Sequence, residues 1–226
     1  LGALGRAASS ERGACRLAAR GEAADREEIA RILGKADVVR MFNPTLHRQM
    51  FEEVRWTPEE AERTKDGIDV ATLEMPPEAI GQMGALRSFD VVKQVPRQAI
   101  EGMAQPPLVG CSHVCLLVLK KPLKPQNLFA AGRALGRVWL HATRLGLSVQ
   151  PWTVLPFFLI RVEQFGGEGF SLDEQQTLRQ LGRDLRGSFG VKERETPMFV
   201  FRLFRAGPPT ARSLMAIARS LRARSF

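Results

Sequence analysis

Cysteine is scarce in this sequence. Three residues of 226, Cys15, Cys111 and Cys115, are too few for a disulfide framework and too scattered for a structural zinc site. Cys111, His113 and Cys115 would share one face of an extended segment, but no second ligand pair accompanies them. A core strand is therefore expected there, and no metal. Long hydrophobic runs are missing as well. No apolar stretch approaches the roughly 18 residues that a membrane span needs. The opening segment starts at Leu1 and lacks a cationic region followed by an apolar one. A cytoplasmic protein without membrane partners is the expectation. The recurrent catalytic signatures are also absent: there is no Ser-His-Asp order, Walker loop, GxGxxG fingerprint or HExxH pair. Gly166-Gly167-x-Gly169 lacks the acidic ribose partner of a dinucleotide site and is expected to be a flexible loop. His47, His113 and His141 are far apart in sequence, so no catalytic residue is nominated.

What is present suits one sizeable core. Hydrophobic residues make up 44% and charged residues 25% of the chain, ordinary proportions for a globular domain. The net charge of +9 raises the question of polyanions, since a basic surface attracts them without specificity. The distribution argues against nucleic acid. Acidic residues interleave through Glu52, Glu53, Glu59, Glu60 and Glu62, while surplus arginine gathers at Arg202, Arg205, Arg212, Arg219, Arg222 and Arg224. Residues 214–226 are thus expected to be a basic C-terminal tail.

Residues 1–33 are rich in Ala, Arg and Glu and are expected to be a helical leader or the remnant of a preceding segment. Asp25 to Leu33 reads as a helix stopped by Gly34. Asn43-Pro44 forms an N-cap and N1 pair, and Thr57-Pro58 with Glu60 repeats the device, so two short helices should meet at Arg55-Trp56. Pro76-Pro77 opens a further helical stretch towards Val95. From Val114 to Leu119 the run VCLLVL is continuous and apolar, the pattern of a strand buried on both faces. Val154 to Val162 is a second extended candidate, with Pro156 at an edge or bulge. Ser171 and Glu174 form a capping box that starts a helix with Leu172, Leu178, Leu181 and Leu185 inward. Met198 to Phe204 alternates too weakly for a one-sided strand and is expected in the middle of a sheet.

The organising stretch runs from Asn127 to Phe158. As a helix it gathers Leu128, Ala131, Leu135, Val138, Ala142 and Leu145 on one narrow face. Arg133, Arg137, His141 and Arg144 fall opposite, where a solvated stripe is expected. Gly132, Gly136, Trp139 and Thr143 make a third stripe, where a second backbone could approach. Gly146 is placed to stop the helix, and Pro151 and Pro156 forbid its continuation.

Within this stretch AGRALGRVWLHATRLGLSVQP, Ala131 to Pro151, resembles the central helix and following loop of the nitroreductase superfamily, especially its Acg-like branch. LHRQMFEEVRWTPEEAERTKDGI, Leu46 to Ile68, is similar to a segment of that branch. TPMFVFRLFRAGPPTARS, Thr196 to Ser213, resembles the last core strand and the phosphate-contacting tail. The Arg-rich N-terminal helix that usually holds the flavin phosphate has no counterpart here.

The resemblance implies an α+β fold, a small mixed sheet wrapped by helices around a long central helix. Residues 34–213 would form the nitroreductase-like domain, with 43–95 as a helical lid-like insertion; a plain helical layer covering the sheet is the alternative for that stretch. It implies FMN as cofactor, with Gln150, Pro151, Trp152 and Thr153 beside the ring and Arg212 and Ser213 at the phosphate. It implies hydride transfer from NAD(P)H to a nitroaromatic or quinone-like acceptor, in a homodimer or with a missing N-terminal half. Two alternatives stay open: a non-catalytic protein that binds or sequesters flavin, and a degenerate C-terminal module of a longer adenylyltransferase-nitroreductase fusion.

Overall fold

In the computed structural model, which describes residues 1–11 and 13–214, the core is built around the apolar run of His113–Leu119. From Val114 to Leu119 every side chain of this strand is at most 1% exposed. A strand this apolar on both faces needs neighbours at both edges and cover above and below. The elements in chain order supply them. Helix α1 (Gly2–Ser9), strand β1 (Cys15–Arg20) and helix α2 (Ala23–Phe42) come first. Then follow α3 (Pro44–Glu52), β2 (Val54–Arg55), α4 (Pro58–Thr64), β3 (Ile68–Asp69), a 3₁₀ turn (Val70–Leu73), α5 (Pro77–Ala85), α6 (Phe89–Val92), α7 (Arg97–Gly102) and α8 (Gln105–Val109). The last group is β4 (His113–Leu119), α9 (Pro125–Arg144), β5 (Ser148–Pro151), α10 (Val154–Gln164), α11 (Leu172–Phe189) and β6 (Thr196–Phe204).

The fold class is α+β. One four-stranded sheet has the order β1-β4-β6-β5, and all its pairings are antiparallel. The expected mixing of directions is therefore absent from this sheet; the parallel pair is the separate, short β2–β3 ladder. Side chains of β4 alternate strictly. Cys115, Leu117 and Leu119 join Phe201 and Leu203 of β6 and Cys15 of β1 in a core with Leu4, Ala7 and Ala8 of α1 and Ala131, Ala134, Val138 and Ala142 of α9. On the other face α10 packs on β6 and α11, and α11 on β1. Register slips between Leu117 and Val118 of β4, opposite Pro197, which has no amide proton to give the ladder.

The chain divides into two compact units, one made of Leu1–Met41 and Pro96–Ala206, the other of Phe42–Val95 with the described residues from Gly207. The sheet and its covering helices belong to the first. In the second, the caps read from the sequence are present: the Asn43 carboxamide oxygen accepts from the amides of Thr45 and Leu46, and the Thr57 hydroxyl accepts from the Glu60 amide. The Glu60 carboxylate accepts from the Trp56 amide at 2.7 Å, one residue earlier than in a standard capping box.

Several elements differ from the sequence expectation, each for a local reason. Residues 1–33 include β1, which completes the sheet edge beside β4. Helix α2 does not stop at Gly34 but runs to Phe42. Gly34 serves close packing: a Cβ there would sit 2.2 Å from the Glu101 carbonyl oxygen. Residues 154–162 form α10, not a strand. Leu155, Leu159 and Val162 are buried at helical spacing, and Pro156 lies in the first turn, where its missing N–H costs nothing. On α11 Leu178, Leu181 and Leu185 are buried, whereas Leu172 is 76% exposed. On α9 the buried face is Ala131, Ala134, Val138 and Ala142, while Leu128 and Leu145 are exposed. Helix α9 ends as expected, with Gly146 at φ +67° and the Leu147 amide returning to the Ala142 carbonyl. Residues 215–226, most of the expected basic tail, lie outside the described residues.

A partly buried ion pair staples the sheet edge. Glu195, 6% exposed, accepts from Arg16 Nη2 of β1 at 2.7 Å and from the Lys192 amide at 3.1 Å, and Arg16 also donates to the Gly190 carbonyl at 2.8 Å. The Arg16 guanidinium holds the Glu195 carboxyl below its usual range. A depressed carboxyl contributes stability above its unfolded pKa that is lost as pH falls through the folded value. Glu195→Gln is expected to cost about 1.5–3 kcal/mol at neutral pH, the usual worth of a charge-assisted hydrogen bond. The difference should shrink to nothing in acid, as read by urea denaturation across pH. Gly34→Ala is expected to cost at least about 1–3 kcal/mol by overpacking, measured the same way.

Candidate functional site

The turn after α9 brings together the first four nominated residues. Strand β5 carries Gln150 and Pro151 along β6, in register with Arg202 and Phe201, and the Trp152 amide prolongs the ladder by donating to the Val200 carbonyl at 2.8 Å. Thr153 is the residue before α10, and its carbonyl accepts from the Phe157 amide. A sheet edge followed at once by a helix start holds this loop stiffly.

Pro151, Trp152, Thr153 and Val154 line a cavity of about 240 Å³ together with Asp37 and Arg40, one turn apart on α2. Gln150 is not part of that lining. Its side-chain oxygen instead accepts from Arg202 Nε, while Arg202 Nη1 donates to the Pro107 carbonyl at 2.8 Å and the guanidinium stacks 4.2 Å from the Phe204 ring centroid. Arg202, read from the sequence among the surplus arginines, is thus a half-buried structural group whose pKa burial pulls down.

Asp37 and Arg40 are the residues that sequence reasoning missed. Arg40 Nη2 lies 2.8 Å from Asp37 Oδ1. The contact brings the charges together without hydrogen-bond alignment, so Asp37 Oδ1 and Arg40 Nε are buried with no hydrogen-bond partner. Buried polar atoms are paired in the great majority of cases, so two orphans in one cavity wall mark the place chemically. Burial pushes the Asp37 carboxyl up; the charge of Arg40, and secondarily a hydrogen bond from the Trp152 side chain, pull against it. The only sequence signal was an acid and a base three apart inside an otherwise apolar helix segment, ADVVRM, which also fits an ordinary i,i+3 pair.

Arg212 and Ser213 belong to the second unit, where both are exposed. The segment just before them is tied down: the Glu74 carboxylate accepts from the Thr210 amide at 2.6 Å and from the Thr210 hydroxyl at 2.9 Å. These bonds hold Glu74 below its usual range.

The remaining polar candidates have structural roles. The Cys15 and Cys115 thiols lie in the core, pushed by burial to about 11 and about 12. Cys111 is buried too, its thiol donating to the Leu108 carbonyl at 3.0 Å. Arg133 and Arg137 of α9 both reach Glu11, at 3.2 and 2.9 Å, and His141 Nδ1 contacts the Arg137 carbonyl. Among the described residues no cluster of His, Cys, Asp and Glu could hold a metal ion, and no helix is long and apolar enough to cross a membrane.

No family model matches the chain. Over 188 residues, 81% of its length, the chain is 29% identical to the uncharacterized protein MT1398 of Mycobacterium tuberculosis (strain CDC 1551 / Oshkosh). It spans 26% of that relative, about a quarter of its length. The crystal structure of a nitroreductase with bound FMN from Bacteroides fragilis NCTC 9343 aligns with 97% of this chain and 83% of its own, at 12% identity and a TM-score of 0.45.

A raised carboxyl binds its proton more tightly folded than unfolded, so its contribution to stability falls as pH rises from the unfolded to the folded pKa. Asp37→Asn removes that penalty. The variant is expected to melt higher than the parent near neutral pH, and the gain should fade as the pH drops into the ordinary carboxylate range. A thermal-unfolding series against pH checks this.

Proposed function

We propose that this chain binds FMN as a nitroreductase-like oxidoreductase and passes hydride from NAD(P)H to a nitroaromatic or quinone-like acceptor. The observation that carries the reading is the cavity where Trp152 meets the orphaned pair Asp37 Oδ1 and Arg40 Nε. An acceptor and a donor beside an aromatic side chain suit the edge of a flat ring that offers both N–H and C=O groups, as the isoalloxazine does. At about 240 Å³ the cavity is smaller than the 300–1,000 Å³ of typical ligand clefts, in keeping with a site for the ring alone.

In this reading Pro151, Trp152 and Thr153 form the wall beside the ring, Asp37 and Arg40 address its polar edge, and Gln150 braces the loop through Arg202. Arg212 and Ser213 bind the phosphate, the guanidinium by paired hydrogen bonds to its oxygens. The flavin, when bound, supplies the hydride chemistry, and the protein binds, orients and excludes water. Residues 34–213 would be the nitroreductase-like domain, with 43–95 its lid. A cytoplasmic homodimer completes the proposal. Its support is the exposed stripe on α9 where Phe129 is 70%, Leu140 68% and Trp139 37% exposed, next to Gly132 and Gly136, whose Cα atoms meet nothing where a Cβ would be.

The length of the mycobacterial relative favours a second reading, in which this sequence is a module of a longer chain. A segment outside it then supplies what the phosphate site lacks, or the module has lost flavin altogether.

FMN titration separates these. The chain is expected to bind FMN with a shifted visible spectrum, and Trp152→Ala should weaken binding at least about tenfold, roughly 1.4 kcal/mol. Bleaching on addition of NAD(P)H supports hydride transfer, while bound flavin inert to both nicotinamides supports sequestration. Protein that stays colourless through the titration defeats the flavin reading for this chain.

A further inference from the structure

The second unit holds a larger cavity, about 610 Å³, within the size range of small-molecule sites, and none of the six residues nominated from the sequence lines it. Its walls are aromatic and basic. Phe51 stacks on Trp56 with centroids 5.9 Å apart and planes 24° from parallel, and the Arg87 guanidinium lies 4.7 Å from the Trp56 ring centroid. His47 continues the aromatic row, 4.8 Å from Phe51 and 5.2 Å from Phe89. Its Nε2 sits 2.8 Å from the Leu86 carbonyl oxygen, an acceptor, so that nitrogen carries a proton. Trp56 contributes a further unspent group: its indole nitrogen is buried and has no acceptor.

Charge in the lining is unbalanced, with four arginines against two glutamates. Arg55 is spent on the frame, bonded to Asp66 at 2.8 Å, to the Thr64 hydroxyl and to the Glu52 carbonyl. Glu60 is spent too, on the Trp56 amide. Arg48 meets Glu52 only at 3.8 Å with both largely exposed, a pair worth little. With Arg55 set against Asp66, Arg48, Arg63 and Arg87 exceed the carboxylates of Glu52 and Glu60 by one, so the lining keeps a net positive charge.

The frame is also set in advance. Asn43 and Thr57 cap the two helices that flank it. Gly67, at φ +68°, lets the β3 segment close on β2 where a Cβ would stand 2.5 Å from the Glu53 carbonyl oxygen. A preorganised wall spends less on ordering when a ligand arrives.

We propose that this cavity is a binding site for a planar aromatic anion, a ring system carrying one carboxylate, sulfonate or phosphate. The ring lies against the Phe51–Trp56–Arg87 stack, gaining aromatic and guanidinium contact. The anionic group faces the arginines of the lining. The site shares no lining residue with those assigned to flavin, so it can be tested apart from that proposal.

Isothermal titration of the full chain with naphthalene-2-sulfonate and with the neutral 2-naphthalenemethanol tests it. The sulfonate is expected to bind one per chain at submillimolar concentration, and the alcohol at least about tenfold more weakly. Arg48→Glu with Arg63→Glu reverses exposed charges and should weaken the sulfonate about tenfold while leaving the far-ultraviolet circular dichroism unchanged. Arg87→Gln, which keeps a flat amide over Trp56, gives a second reading should the double variant misfold, and is expected to cost several-fold. Equal affinity for the two probes, affinity indifferent to the arginine changes, or no binding heat at millimolar sulfonate would each overturn the proposal.

Discussion

Burial of β4 on both faces and both edges is the constraint from which the first unit follows. Six consecutive apolar side chains cannot meet water cheaply, each costing on the order of 1.5–3 kcal/mol if exposed. They are covered by α1 and α9 on one side and by the α10–α11 pair on the other, and hydrogen-bonded by β1 and β6 at the edges. That arrangement requires the chain to cross from the α9 face to the α10 face beside β6. The crossing is β5 and the Gln150–Thr153 turn. The position of the candidate site is thus a by-product of covering one strand.

Polar groups inside this unit show the same economy. Glu195 and Arg16 satisfy each other and the turn before β6, and Arg202 ties Gln150 to the Pro107 carbonyl. Asp37 and Arg40 stand apart, because their charges are adjacent while two of their buried atoms lack hydrogen-bond partners. Where packing elsewhere completes its bonds, an incomplete pair inside a cavity is an opening for a ligand's own polar edge. In the second unit the Trp56 indole has the same standing.

Caps and buried strands were legible from sequence because their signals are local. Asn43, Thr57 and Ser171 each satisfy amides two or three residues on, and the VCLLVL run needs only its own composition. Val154 to Val162 misled because an apolar run with one proline reads as extended or as a first helical turn alike, and only the 155, 159, 162 spacing separates the two. Strand β1 was illegible for a different reason. Its residues CRLAAR have little strand preference, and they are held there by pairing with β4 almost a hundred positions away. The cavity partners of Trp152 were illegible for the same reason: contact between α2 and the turn after β5 is made by the tertiary fold.

The division of the chain at Met41 and Pro96 has a consequence for how this sequence can vary. Residues 42–95 leave the first unit and return to it between β1 and β4, which are neighbours in the sheet. The entropy of closing such an excursion grows only with the logarithm of its length, about 0.6 kcal/mol for each doubling. The excursion can therefore lengthen, shorten or be rebuilt across evolution at small thermodynamic expense to the sheet whose strands bracket it in sequence, so new recognition can be acquired there while those strands keep their register.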